Sequence, residues 1–314
     1  MDNAAIGKKY GILLPSKIQF EFDEWDSVLK LRLNEKYILS NMQTDNAAFE
    51  SWIFCLLPRM ERFNWVELDW ELPSGENGHY RRFLYRVIKM QEHFPWFRVA
   101  ATKQPCIETF RNETYRAGGH LFLNTPRKSN GMETEPSSAT IRQTEKSEAY
   151  YEQIFLTEGK LNHQYHLTTV NRQLPVGVFK DPKLKERVFT GGKSAIDLWG
   201  LGNDCLYFFE LKFQNKMAGI ITETLFYLWI MEDIMFTRRL RYPDTADRNE
   251  CRGFKALYEA IGKVKTINAV FLIDEIHPKI DSDVIGFINR HNTEKRLELQ
   301  MCQYRPGTAT VDFV

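Results

Sequence analysis

The chain has 314 residues, 43% of them apolar and 13% aromatic, enough to bury a sizeable core in one large domain or two ordinary ones. Its 42 basic and 41 acidic residues nearly cancel. That balance excludes the global positive field of a histone-like nucleic-acid binder and leaves any such partner a local patch.

Cys55, Cys106, Cys205, Cys251 and Cys302 are scattered without a CxxC, which argues against a disulfide framework or thiolate zinc site and suits a reducing cytoplasm. No apolar run near the start has signal-peptide character. The most apolar stretch, 220–236, is interrupted by Thr222, Glu223, Glu232 and Asp233, so no membrane span is expected.

In chain order, 18–22 and 28–33 read as short strands, 46–62 as a helix and 66–72 as an alternating strand. Residues 78–94 predict a helix with Phe83, Leu84, Val87, Ile88 and Gln91 at helical spacing. Its opposite face carries Arg81, Arg82, Arg86 and Lys89 and is expected to be solvated or to meet a partner. A polar run with two prolines marks 118–146 as a linker or long loop. It separates an α+β N-terminal domain, 1–117, from a C-terminal domain, 147–314.

The C-terminal part predicts a helix over 147–158, a strand near 175–179, and strands 194–200 and 205–213 joined by a turn at 202–204. A long helix over 217–236 follows, then a helix 254–264, a buried strand 267–276, a helix 281–290 and a last strand 297–304. This order is that of an α/β core with a mixed central sheet flanked by helices.

Chemistry concentrates at Ala195-Ile-Asp197 and Phe208-Phe-Glu210-Leu-Lys212. Carboxylates embedded in strands this apolar are costly unless paired or metal-bound. Alternation places Glu210 and Lys212 on one face, with Leu211 turned into a core. The hairpin then brings Asp197 toward Glu210. Two carboxylates suit a hard divalent ion, Mg²⁺ or Mn²⁺, and the lysine can orient water or stabilise charge on a phosphate. His163 and His166 have no third ligand at metal spacing.

These residues resemble the PD-(D/E)xK nuclease superfamily, with Asp197 as the first acid and Glu210-Leu211-Lys212 as the second element. The resemblance covers about 147–276, with Ile196 where a proline often stands, and leaves 1–117 unaccounted for. It implies a restriction-endonuclease-like fold and Mg²⁺-dependent hydrolysis of DNA, in preference to RNA, with 5′-phosphate products. It implies that Asp197, Glu210 and the Leu211 carbonyl bind the metal and that Lys212 orients or deprotonates the attacking water. It also implies a glutamate from the preceding helix: of Glu148 and Glu152, Glu148 is preferred because it lies nearer the edge of the apolar stripe. Glu223-xxx-Tyr227 looks like the Gln-xxx-Tyr element of RecB-like nucleases with glutamate replacing glutamine; Tyr227 as plain core is the alternative.

Lys193, Gln214, Lys183, Lys185 and Arg187 are the candidate nucleic-acid contacts, with Arg238, Arg239 and Arg241 a further basic group. Gly191-Gly192-Lys193 lacks the spacing of a P-loop. By analogy the setting is defence, restriction or repair, with the N-terminal domain binding substrate, a protein partner or a second copy. The competing reading is an inactive nucleic-acid-binding or assembly subunit that keeps the fold.

Overall fold

The computed structural model describes residues 1–75, 77–116, 121–127, 147–190, 194–275, 277–307 and 311–313. Helix α1 (Asn3–Tyr10) precedes the alternating segments, which form β1 (Ile18–Asp23) and β2 (Val28–Leu33). They pair antiparallel, with Ile18 opposite Leu33. Helices α2 (Glu35–Ile38) and α3 (Phe49–Leu56) lead to β3 (Trp65–Trp70), which joins β2 in parallel. Helix α4 (Gly78–His93) then crosses over to β4 (Phe97–Val99), parallel to β3, and α5 (Gln104–Glu113) ends this part.

The expected basic face of α4 is not solvated. Arg82, Arg86 and Lys89 are 7%, 3% and 0% exposed. Their charges meet acids and carbonyls from elsewhere in the chain, which makes a solvated stripe unnecessary. Arg86 Nε donates to Glu50 Oε1 at 2.6 Å, and Thr222 donates to the other oxygen of Glu50 at 3.0 Å. Lys89 Nζ donates to Glu232 Oε2 at 2.9 Å and Asp233 Oδ1 at 2.6 Å. Tyr85 also donates to Asp233, and His93 bonds Glu232 at 2.9 Å.

Leu121–Leu123, inside the segment read as a linker, is a strand, β5. The other described residues of 118–146 are 124–127, and the rest lies outside the described residues. Helices α6 (Glu148–Glu158) and α7 (Lys160–Tyr165) are followed by β6 (Thr169–Pro175), β7 (Val178–Phe179), β8 (Arg187–Phe189), β9 (Ala195–Gly202) and β10 (Cys205–Lys212). Ser147 caps α6 by accepting from the Tyr150 N–H.

Helix α8 (Ile220–Glu232) is shorter than the expected 217–236 because a π-helical turn, Asp233–Thr237, ends it. That turn carries Asp233 into the ion cluster with Lys89, the kind of setting in which π-turns recur. The remaining elements are β11 (Leu240–Arg241), α9 (Phe254–Ala260), β12 (Thr266–Ile273), α10 (Ser282–His291), β13 (Leu297–Pro306) and β14 (Val311–Phe313).

A six-stranded mixed sheet runs β14-β13-β12-β10-β9-β6, and a four-stranded sheet runs β11-β5-β7-β8. In the large sheet, β10 pairs antiparallel with β9 and parallel with β12. The molecule is therefore α/β, with mixed sheets flanked by helices. Its main apolar core takes residues from both halves, from Ile6 through Val87 and Phe226 to Leu299. A second core, with Tyr151, Phe155, Phe209, Leu211 and Tyr304, lies under α6. No helix among the described residues is long and apolar enough to cross a membrane.

Candidate carboxylate–lysine site

The β9–β10 ladder ends at Leu198 opposite Phe209. The next position along both strands is Asp197 and Glu210. On its other side, β9 meets Arg172 and Leu174 of β6, with Gln173 between them in a left-handed conformation, φ 53°. The backbone thus opens around Asp197 on both flanks, a local strain of the kind held at functional positions. Arg252 donates to the Gln173 carbonyl at 3.1 Å and secures the distortion.

Alternation along β10 separates the faces as expected. Leu211 lies in the core beneath α6, while Glu210 and Lys212 meet on the other side. Lys212 Nζ donates to Glu210 Oε1 at 2.5 Å and lies 3.5 Å from Glu223 Oε2 on α8. Asp197 Oδ2 accepts the Leu211 N–H at 2.9 Å. Glu223 Oε1 accepts the Tyr227 hydroxyl at 2.9 Å and the side-chain amide of Gln43. Glu223 and Tyr227, four residues apart on one helix, therefore both belong to the site.

Glu210 and Glu223 thus pair with one ammonium, and Asp197 lies near enough to feel its charge. Glu210 Oε2 and Glu223 Oε2 are buried and have no hydrogen-bond partner among the described residues. Burial, opposed by Lys212 and reinforced by Glu152 and Glu223, pushes the Asp197 carboxyl up to about 8. Burial and the neighbouring Asp197 and Glu223 charges raise Glu210 well above the carboxylate range. Burial works to lower Lys212, but Glu210, Glu223, Asp197 and Glu148 more than reverse it, and Lys212 is held well above its ordinary value. The cluster holds more carboxyl groups than it has donors, and burial with mutual repulsion drives Asp197 and Glu210 toward their protonated forms.

Both glutamates of α6 act on this cluster, Glu152 at Asp197 and Glu148 at Lys212. Glu152 is buried and adds to the rise at Asp197, whereas Glu148 is half-exposed and is felt at Lys212. Gln173 Nε2 donates to both Glu152 oxygens at 3.0 and 3.2 Å. Burial raises Glu152, partly offset by Gln173 and Arg172.

Gln214 does not share the face of Glu210 and Lys212. The strand ends at Lys212, and Gln214 is exposed at φ 52° with its N–H donated to Asp274. Lys183 and Lys185 are exposed on a turn whose N–H groups are gathered by Asp181, and Arg187 is exposed at the start of β8. Lys193 lies outside the described residues. Arg239 is engaged with Glu92 and Tyr115 rather than forming a basic surface with Arg238 and Arg241. His163 and His166 are exposed.

The sequence gives no prior sign of Gln43. Its carbonyl passes so close to Gly219, just before α8, that a Cβ on Gly219 would lie 1.9 Å from that oxygen. The N-terminal half therefore touches the backbone at the foot of α8 and reaches Glu223 from there.

Among the described residues, no group of three or more His, Cys, Asp or Glu is arranged to hold a metal ion. Two carboxylates with a backbone carbonyl are nevertheless a fitting donor set for Mg²⁺, which commonly takes one or two protein carboxylates and completes its shell with water and phosphate. A hard cation would give the buried Glu210 Oε2 a partner and favour the ionised forms of Asp197 and Glu210. No protein-family model, curated protein or solved structure matches this chain.

Proposed function

We propose that the chain is a metal-dependent nuclease with a restriction-endonuclease-like core, hydrolysing phosphodiester bonds of DNA. The observation that supports this most is the crowding of Asp197 and Glu223 about the Glu210–Lys212 pair, with Glu210 Oε2 buried and without a donor among the described residues. Such an arrangement destabilises the fold on its own and gains from a bound cation.

In this reading Asp197, Glu210 and the Leu211 carbonyl hold a Mg²⁺ or Mn²⁺ ion. The chemistry that ion supplies is a lowered water pKa and neutralisation of charge developing on the phosphate. Lys212 keeps its proton, given the carboxylates around it. Its role is then to orient the water and stabilise charge on the phosphate, not to take a proton. Tyr227 and Gln43 hold Glu223 in place beside Lys212. Gln173 fixes Glu152 behind Asp197.

The test is incubation with plasmid, linear duplex and single-stranded DNA and with RNA, in Mg²⁺, Mn²⁺ or EDTA. Cleavage in either metal, absent in EDTA and in Lys212→Ala, is expected. A parent protein that cuts none of these substrates with either metal, or a Lys212→Ala variant as active as the parent, would falsify the reading.

A further inference from the structure

A cavity of about 280 Å³ lies where the start of α4 meets β8, lined by Gly78, His79, Arg82, Arg187, Thr190 and Ser194. We propose that this cavity is a phosphate-binding site, built jointly by the two halves of the chain and separate from the carboxylate cluster. The proposal does not depend on the nuclease reading, because a phosphate can be held here whether or not a bond is cut.

The lining is cationic and offers donors. No acidic side chain lines the cavity among the described residues. Arg82 is 7% exposed, forms no salt bridge among the described residues, and leaves its buried Nε without an acceptor. One guanidinium nitrogen donates to the Ser40 carbonyl at 3.2 Å and another contact of 3.1 Å joins it to His79 Nδ1. Because arginine can only donate, His79 Nδ1 is the acceptor and Nε2–H remains the ring's donor. Burial and the nearby Arg86 charge lower the Arg82 guanidinium to about 10, and burial with Arg82 lowers His79. A desolvated cation in this state gains from an anion.

Arg187 is exposed at the rim and has no carboxylate partner among the described residues. Thr190 uses its proton on the Val176 and Phe189 carbonyls, so it serves as wall, not donor. Guanidinium groups match phosphate oxygens in geometry as well as charge, and the cavity has room for a phosphate with part of its ester.

The experiment titrates the full chain with sodium phosphate, in EDTA, and follows the His79 ring signals by NMR. Sodium chloride at matched ionic strength is the control. A saturable shift with phosphate alone is expected, weakened about tenfold in Arg187→Gln by the loss of one charge-assisted contact. Arg187 is exposed, so that variant folds even if an Arg82 variant does not. No saturable shift, an equal shift with chloride, or unchanged affinity in Arg187→Gln overturns the proposal. Competition by 5′-phosphorylated and 5′-hydroxyl oligonucleotides separates the sources. Tighter binding of the phosphorylated strand identifies a strand end, and binding of inorganic phosphate alone identifies a free phosphate. The shift persists in Lys212→Ala, which keeps this outcome distinct from failure of the nuclease reading.

Discussion

Lys212 Nζ lies 2.5 Å from Glu210 Oε1, two residues back along the same strand, and this contact is the centre of an over-acidic cluster. Folding forces the Asp197 carboxyl to stay protonated up to about pH 8, and Asp197→Asn removes that cost while keeping an oxygen for the Leu211 N–H. In EDTA this variant is expected to melt higher than the parent, by about 2–4 °C for each kcal/mol gained. It is expected to lose cleavage by about 100-fold or more. Parallel melting and cleavage assays check both, and a lower melting temperature with full activity would contradict the account.

Divalent ions are expected to stabilise the parent. Binding to the folded state alone adds about 2.7 kcal/mol at 100 times the dissociation constant. Thermal melts across a Mg²⁺ or Mn²⁺ series should rise in the parent and stay level in Asp197→Asn and Glu210→Gln. An equal rise in all three would place the ion elsewhere.

Lys89 neutralises Glu232 and Asp233 in the interior. Lys89→Met strands these acids and is expected to cost about 3–5 kcal/mol. Adding Asp233→Asn should recover part of the loss. Urea denaturation of the single and double variants measures the coupling; strictly additive losses would mean that the pair does not act together.

Acid should attack the same cluster. Burial opposes the Glu232 charge, but the His93 hydrogen bond and Lys89 outweigh it and lower its carboxyl to about 2. A depressed folded-state value contributes stability that is present above the unfolded value near 4.3 and lost as pH falls through about 2. The contribution is roughly 3 kcal/mol. Melting curves between pH 6 and pH 2 should fall less steeply in Glu232→Gln than in the parent, and identical slopes would assign the acid loss to other groups.

Gly219→Ala places a methyl against the Gln43 carbonyl. Backbone, unlike the end of a flexible side chain, cannot swing aside, so a cost of about 1–3 kcal/mol is expected. Cleavage should fall too, because Gln43 also holds Glu223. A melting temperature equal to the parent's would show that the two segments can separate freely.

The readable part of this molecule is local. Strand alternation places Glu210 beside Lys212 and Leu211 in the core, and a short turn brings Asp197 to them. The preference for Glu148 over Glu152 rests on the apolar stripe of α6 alone, and both glutamates act on the site, Glu148 at Lys212 and Glu152 at Asp197. Glu152 is buried by its bonds to Gln173, a partner 21 residues away. The burial of Arg82, Arg86 and Lys89 is hidden for a similar reason. The partners that bury their charges come from 36 to 144 residues off, beside the local contacts with His79 and Glu92, and charge on a helix looks solvated until those distant partners are known. Tyr85 and Met90, large bodies flanking the basic face, are the signal that helix α4 is enclosed on more than one side.

The bonds from Lys89 to Glu232 and Asp233 close loops of 143 and 144 residues. Closing so long a loop is entropically costly and yields nothing until both α4 and the end of α8 are in place. The ion cluster is thus a late event in folding, a latch set after the sheets have assembled. Loosening it should speed unfolding while leaving the folding rate almost unchanged.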